Sequence, residues 1–492
     1  MSKLLFKGTE WDIPLVEKIW NTIDHMARTQ FGLDYYPPQI EIITSEQMLN
    51  NYSSHAMPIM YPHWSFGKTF LQNEREYNKG IQGLAYEVVI NTNPCIAYLM
   101  ENNTATLQTL VLAHASCGHS HFFKNNYLFK GWTDAESILD YLKFARNYIK
   151  QCEEKYGTQR VEALLDACHS LQAHSVDKYK KPARLSEELK KQRQKQRDNY
   201  SEAMFNDLWR TIPKSSVQVT EQVTEQVFPE ENILYFIEKN SPILEDWEKE
   251  IVRIVRKIAQ YFYPQRQTGL LNEGFACFVH FMLMTELHEQ GFIDEGSYLE
   301  FLQSHTNVVT QRDWDHKGFR GINVYALGFA VLMDIKRACT APDDEDYKWL
   351  TSVCNTEWLD TIKDIVANYR DESFILQFLS PKVARQFKLF SFHIKQNTPY
   401  LAVNATHDDE SFLALRKVLS EQYDMNNSVP QIEIVEVDWY GDRRMYLEHT
   451  TKNNLRLAYR DTKRTLECLQ YLWGFPISIE YKDIFGKTLN EV

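Results

Sequence analysis

No apolar run in this sequence reaches the roughly 18 residues that a membrane-spanning helix needs. The opening stretch, MSKLLFKGTEWDIP, has neither the apolar segment nor the small-residue cleavage site of a secretory leader. The 8 cysteines are scattered without a CxxC pair, which argues against a disulfide framework and for reduced, mostly buried thiols in a cytoplasm. Positive charge is in deficit. A formal net charge of −12 does not favour a general nucleic-acid-binding surface. Nucleotide and serine-hydrolase signatures are missing too: no GxGxxG follows a strand, and neither a P-loop nor a GxSxG occurs.

What is present is apolar mass. The chain has 492 residues, 43% of them hydrophobic, and chains above roughly 250–300 residues divide into domains. Residues 10–32 have helical periodicity, with Ile13, Val16, Ile19, Trp20 and Ile23 on one stripe and Gly32 as a stop. PQIEIIT (38–44) and YEVVINT (86–92) read as strands, and PCIAYLMEN after them as a helix. Two more helices are expected between Asp134 and Ser175, the first ending at Gly157 and the second capped by Thr158. At 177–200 the composition changes to nine Lys/Arg against four Asp/Glu, a solvated linker or a docking strip for an acidic partner. VTEQVTEQ (219–226) reads as a tolerated insertion. Later helices include one with the stripe Trp247, Ile251, Ile254, Val255 and Ile258, and GLLNEGFACFVHFMLMTELHEQG, apolar on nearly all sides and so central to a core. The last hundred residues read as ββαββαβ, with GDRR (441–444) as a hairpin turn. The expected fold is mainly α with a small β portion in a large N-terminal domain (1–176 and 229–386). The linker and insertion occupy 177–228, and a small C-terminal α+β domain follows at 387–492.

HASCGHSHFFKNN puts three histidines within eight residues on an apolar helix. His114 and His119 are five apart, about 140° on an ideal α-helix. They converge only if the helix ends, bulges or loosens between them, and Gly118 is the point where it can. His114, Cys117 and His121 share a face of an ideal helix. Glu273 sits inside the apolar helix at 269–291, where a carboxylate is costly unless paired or bound to a cation. His280 lies two turns further along the same face, and His169 lies on another largely apolar helix. A single buried histidine is ordinarily just hydrogen-bonded, and Cys117, Cys168 and Cys277 read as core. The joint set His114, His119 and Glu273 points to metal binding or catalysis, because its polar groups are concentrated on the two most apolar helices. HWSFGK (63–68) is a weaker pocket candidate.

The sequence resembles the SpoVR (stage V sporulation protein R) family. The resemblance rests on PHWSFGK, YEVVINTNPCIAYLMENN, LAHASCGHSHFFKNNYLF, WTDAESILDYLKFARNYI, LDACHSL, VDKYKKP, IVRIVRKIAQYFYPQRQT, LNEGFACFVHF, DESFILQFLSP and LWGFPISIEYKD, spread over almost the whole chain. His114, Gly118, His119, His169, Asp177, Glu273 and His280 match the family pattern, whereas Ser120, Phe275 and Cys277 depart from it. The resemblance implies a role linked to spore cortex formation, or to a stress-response operon that includes a serine protein kinase. A looser likeness is to gluzincin metallopeptidases, in which two helical histidines and a distant glutamate hold zinc. It implies a zincin-like hydrolase of peptide or amide bonds with His114, His119 and Glu273 as ligands and His280 or His169 as supporting or alternative ones. HExxH is absent, Ala115 standing where its glutamate would be. The base must therefore come from elsewhere, with Glu87 and Glu136 as candidates. The competing expectation is a non-enzymatic adaptor that engages a kinase or acidic partner.

Overall fold

The computed structural model describes residues 3–53, 57, 59–78, 87–177, 229–314, 316–389, 391–394, 401–405, 408–451, 457–483 and 485–491. Apart from Asp177, the basic linker lies outside the described residues, as do the VTEQ repeat and Tyr86, the first residue of the second expected strand. The architecture is mainly helical with small sheets.

Three strands form the first sheet: β1 (Pro38–Ile43), β2 (Glu87–Ile90) and β3 (Cys95–Met100). β3 lies in the middle, parallel to β1 and antiparallel to β2. The expected helix at PCIAYLMEN is therefore corrected to a strand. All six residues of β3 are buried, so the run lacks the apolar–polar alternation of a half-exposed strand, and a short apolar run carries no period that separates strand from helix. The strand is buried on both sides because it divides two cores. Cys95, Ala97 and Leu99 pack into one, and Ile96, Tyr98 and Met100 into the other, as alternate side chains of a strand must.

The first core is built on the helix Gly269–Glu289, which packs against the helices Val324–Thr340 and Ile13–Thr29 and the segment Leu112–His119. Two contacts in it depend on missing side chains. A Cβ on Gly118 would lie 2.7 Å from Ala276 Cα, and one on Gly274 2.5 Å from the Gly328 backbone, so glycine lets these helices approach closely. The expected N-terminal helix forms as Ile13–Thr29, with Val16, Ile19 and Ile23 buried but Ile13 exposed.

The second core joins the helices Ile138–Tyr156, Thr158–Ser170, Ile233–Asn240 and Asp246–Gln267. Gly157 stands between the first two and caps both, so Thr158 is the first helical residue rather than the cap. Trp247, Ile251, Ile254, Val255 and Ile258 are all buried, as their spacing predicts.

In the C-terminal region the strands Ser391–Ile394 and Leu401–Ala405 form a sheet of their own, followed by the helix Asp409–Tyr423. A four-stranded sheet then runs in the order Gln431–Val437, Met445–Thr450, Ile477–Lys482, Thr488–Glu491, with the helix Tyr459–Trp473 between its second and third strands. The expected ββαββαβ order is present with a short helix, Met425–Ser428, and a final strand added. Its inner face, including Ile434, Leu447, Trp473 and Ile479, packs into the second core. Among the described residues no helix is long and apolar enough to cross a membrane, and all eight cysteines are unpaired.

Candidate metal centre

Leu112–His119 is a π-helix, entered from the α-helix Ala105–Val111 and left through the α-helix Ser120–Asn125. A π-helix bonds residue i to i+5, so residues five apart come onto one face. This resolves the 140° problem. The rings of His114 and His119 meet edge to face with centroids 4.7 Å apart. The same widening undoes the shared face of His114, Cys117 and His121. His121 turns away, and its Nδ1 accepts from the Asp34 N–H at 3.0 Å. Cys117 is fully buried beside Tyr35.

The close approach at Gly118 brings Glu273 to the two histidines. Glu273 Oε2 lies 3.4 Å from His119 Nε2 and 3.8 Å from His114 Nε2. Glu87, at the start of β2, places Oε1 3.2 Å from His114 Nε2. A ligand atom from each of Glu87, His114 and His119 lies within 4.8 Å of the others. Behind this face, His119 Nδ1 donates to Asn272 Oδ1 at 2.9 Å, which turns Nε2 toward the carboxylates. His114 Nδ1 meets His280 Nδ1 at 2.9 Å, and His280 Nε2 meets His305 Nδ1 at 2.7 Å. Cys277 completes a second group with His114 and His280, again within 4.8 Å.

The electrostatics follow from burial set against pairing. Burial works against charging His119, but Glu273 outweighs it and lifts the imidazole to about 9. Burial likewise pushes Glu273 up, and His119 and His114 more than reverse that, holding it well below the usual carboxylate range. Glu87 is raised, because burial outweighs its histidine neighbours, and its Oε2 is buried without a hydrogen-bond partner among the described residues. Burial pushes His280 far down and His305 down to about 4. Tyr325 is pushed up, first by the Glu273 charge to which its hydroxyl bonds and then by burial.

Two imidazole nitrogens and two carboxylates on one small face, with an orphaned buried oxygen among them, could hold a metal cation. His119 Nε2 faces Glu273 Oε2 at 3.4 Å, and Asn272 holds the other ring nitrogen as a supporting hydrogen-bond partner holds a ligand.

The other expected site residues lie elsewhere. Glu136 is exposed, just before the helix Ile138–Tyr156, outside the cluster. His169 Nε2 bonds the Tyr61 hydroxyl at 2.6 Å, with its ring 4.5 Å from that of His63. His63 in turn bonds Ser65 and lies 3.2 Å from Asp166, so HWSFGK belongs to this second, separate polar group. Sequence reasoning missed His305 and Tyr325 and placed Cys277 in the core alone. His305 sits on the helix Glu295–Val309 and Tyr325 at the start of Val324–Thr340. Neither stands in a motif with ligand spacing, and only the packing of those helices on Gly269–Glu289 brings them in.

A family model described as SpoVR like protein matches residues 10–428, and one described as SpoVR-like C-terminal domain matches residues 430–483. The chain is 50% identical over 484 residues to an uncharacterized protein of Escherichia coli strain K12, YcgB, covering 98% of this chain and 94% of that one. No solved structure matches. The chain belongs to the SpoVR family.

Proposed function

We propose that this SpoVR-family chain is a metal-dependent hydrolase of peptide or amide bonds, with cell-wall peptides as the substrate class. The observation that carries the reading is the π-helix that turns His114 and His119 onto one face with Glu273 and Glu87. His114, His119 and Glu273 would hold zinc. Bound there, zinc supplies Lewis acidity toward a carbonyl and toward water.

The protein's own groups supply the rest. Glu87 takes the role of general base. Burial raises its carboxyl above the ordinary glutamate value, which strengthens it as a base, and its Oε2 has no hydrogen-bond partner among the described residues. The Tyr325 hydroxyl, which bonds Glu273, would hold that carboxylate in place as a ligand. Ala115 carries no such group, so the base has moved from the histidine helix to the sheet edge.

The test is amide hydrolysis of peptidoglycan-derived peptides by the zinc-loaded protein, read as newly released amine. Glu87→Gln is expected to keep its metal and lose turnover by about 10²–10⁴-fold, the range for a general base. Equal turnover by the variant, or none by the loaded wild type, contradicts the reading and moves the adaptor role ahead.

A further inference from the structure

Three imidazoles run in series from the candidate centre into the core: His114, His280 and His305. The two links are nitrogen–nitrogen contacts of 2.9 and 2.7 Å, each with room for one shared proton. All three residues are buried. The far ring is boxed by aromatics, its centroid 5.0 Å from Phe281, 4.7 Å from Phe329 and 5.8 Å from Phe301.

With one proton per ring, such a chain has only two self-consistent states. In the inward state His305 Nδ1–H donates to His280 Nε2, His280 Nδ1–H donates to His114 Nδ1, and His114 carries its proton on Nε2, facing Glu87 at 3.2 Å. In the outward state His114 Nδ1–H donates to His280 Nδ1, His280 Nε2–H donates to His305 Nδ1, and His305 carries its proton on Nε2. His114 Nε2 then presents a lone pair to Glu87 and Glu273. Without a cation, that lone pair faces two carboxylate groups and the inward state wins. With a cation on Nε2, only the outward state is open. The proton count of the three rings is the same in both states: one proton leaves His114 Nε2, one arrives at His305 Nε2, and the two shared protons cross their links.

We propose that His305 is a positioning residue for the metal centre, and that through His280 it sets which nitrogen of His114 is free to ligate. This rests on the metal reading above. His305 touches neither metal nor substrate; it acts by accepting the His280 Nε2–H that the outward state requires. If His305 cannot accept, the outward state leaves that N–H buried without a partner.

The experiment uses the full chain and zinc alone. Wild type, His305→Phe and His305→Asn are titrated with zinc against a competing chelator, and ¹⁵N-histidine spectra of the wild type are recorded metal-free and loaded. His305→Phe is expected to weaken zinc binding by about 10–100-fold, the usual effect of losing a ligand's hydrogen-bond support. His305→Asn, whose side-chain oxygen still accepts, is expected to restore most of the affinity. The His280 proton is expected to move from Nδ1 to Nε2 on loading. Equal zinc affinity in all three proteins, or an unchanged His280 tautomer in a wild type that does bind zinc, overturns the proposal and leaves the metal reading standing. A wild type that binds no zinc overturns both. The tautomer measurement needs no variant, so it decides even if His305→Phe does not fold.

Discussion

At the scale of single residues, function rests on where side chains are absent as much as on where they are present. Gly118 lets the histidine segment approach Ala276, and an added Cβ would stand 2.7 Å from Ala276 Cα. Gly118→Ala is expected to cost about 1–3 kcal/mol in denaturant unfolding, the usual range for overpacking a tight contact. It should also weaken zinc binding, because it moves Glu273 away from His119. An unchanged midpoint and unchanged affinity would count against the close packing. The sequence made His114, His119 and Glu273 legible because polar groups on very apolar helices are costly without a purpose. His305 and Tyr325 were not legible, since neither stands in a pattern with ligand spacing and only the packing of their helices against Gly269–Glu289 brings them in. Glu136 shows the opposite failure: a carboxylate near the right segment that the fold leaves at the surface.

At the scale of elements, the π-helix does what an α-helix with this spacing cannot. Sequence periodicity located the conflict between His114 and His119, and Gly118 marked a weak point, but no residue pattern specified a π-helix over Leu112–His119. The strand β3 differs from the expected helix for a related reason: an apolar run buried on both faces has no period to read. The helix Gly269–Glu289, which carries Glu273, is anchored at its start by Asp371, whose carboxylate accepts from Leu271 N–H at 2.8 Å and Leu270 N–H at 2.9 Å. Burial lifts Asp371 from 3.8 to about 7, against the pull of those two donors. A raised folded value means that the native state holds this proton more tightly than the unfolded chain. Its stabilisation is complete below about pH 4 and is lost as pH rises to about 7, with a slope approaching about 1.4 kcal/mol per pH unit. Asp371→Asn, which keeps an acceptor and never ionises, is expected to flatten that part of the stability–pH curve. A variant curve parallel to wild type would show that Asp371 does not carry the effect.

At the scale of the whole molecule, two cores share the wall made by β3, and the C-terminal sheet closes the second of them. Trp473 is fully buried, its ring 5.7 Å from that of Phe236 on the helix Ile233–Asn240. Removing residues 430–492 would bare that apolar face. The truncated chain is expected to melt at lower temperature and to self-associate on size exclusion, whereas a monomer as stable as wild type would show the core to be independent of the sheet. The mainly helical class and the added α+β region were readable from periodicity. The sharing of one core between them was not, because it depends on contacts between segments more than two hundred residues apart, such as Phe236 with Trp473 and Ser241 with Leu472. The central claim is that this assembly builds a metal centre, and elemental analysis of the purified, untagged protein beside Glu273→Gln and His119→Ala tests it most directly. The account predicts about one equivalent of zinc or a related divalent ion in the wild type and its loss in both variants. A folded wild type that holds no metal and takes up none when it is offered would contradict it.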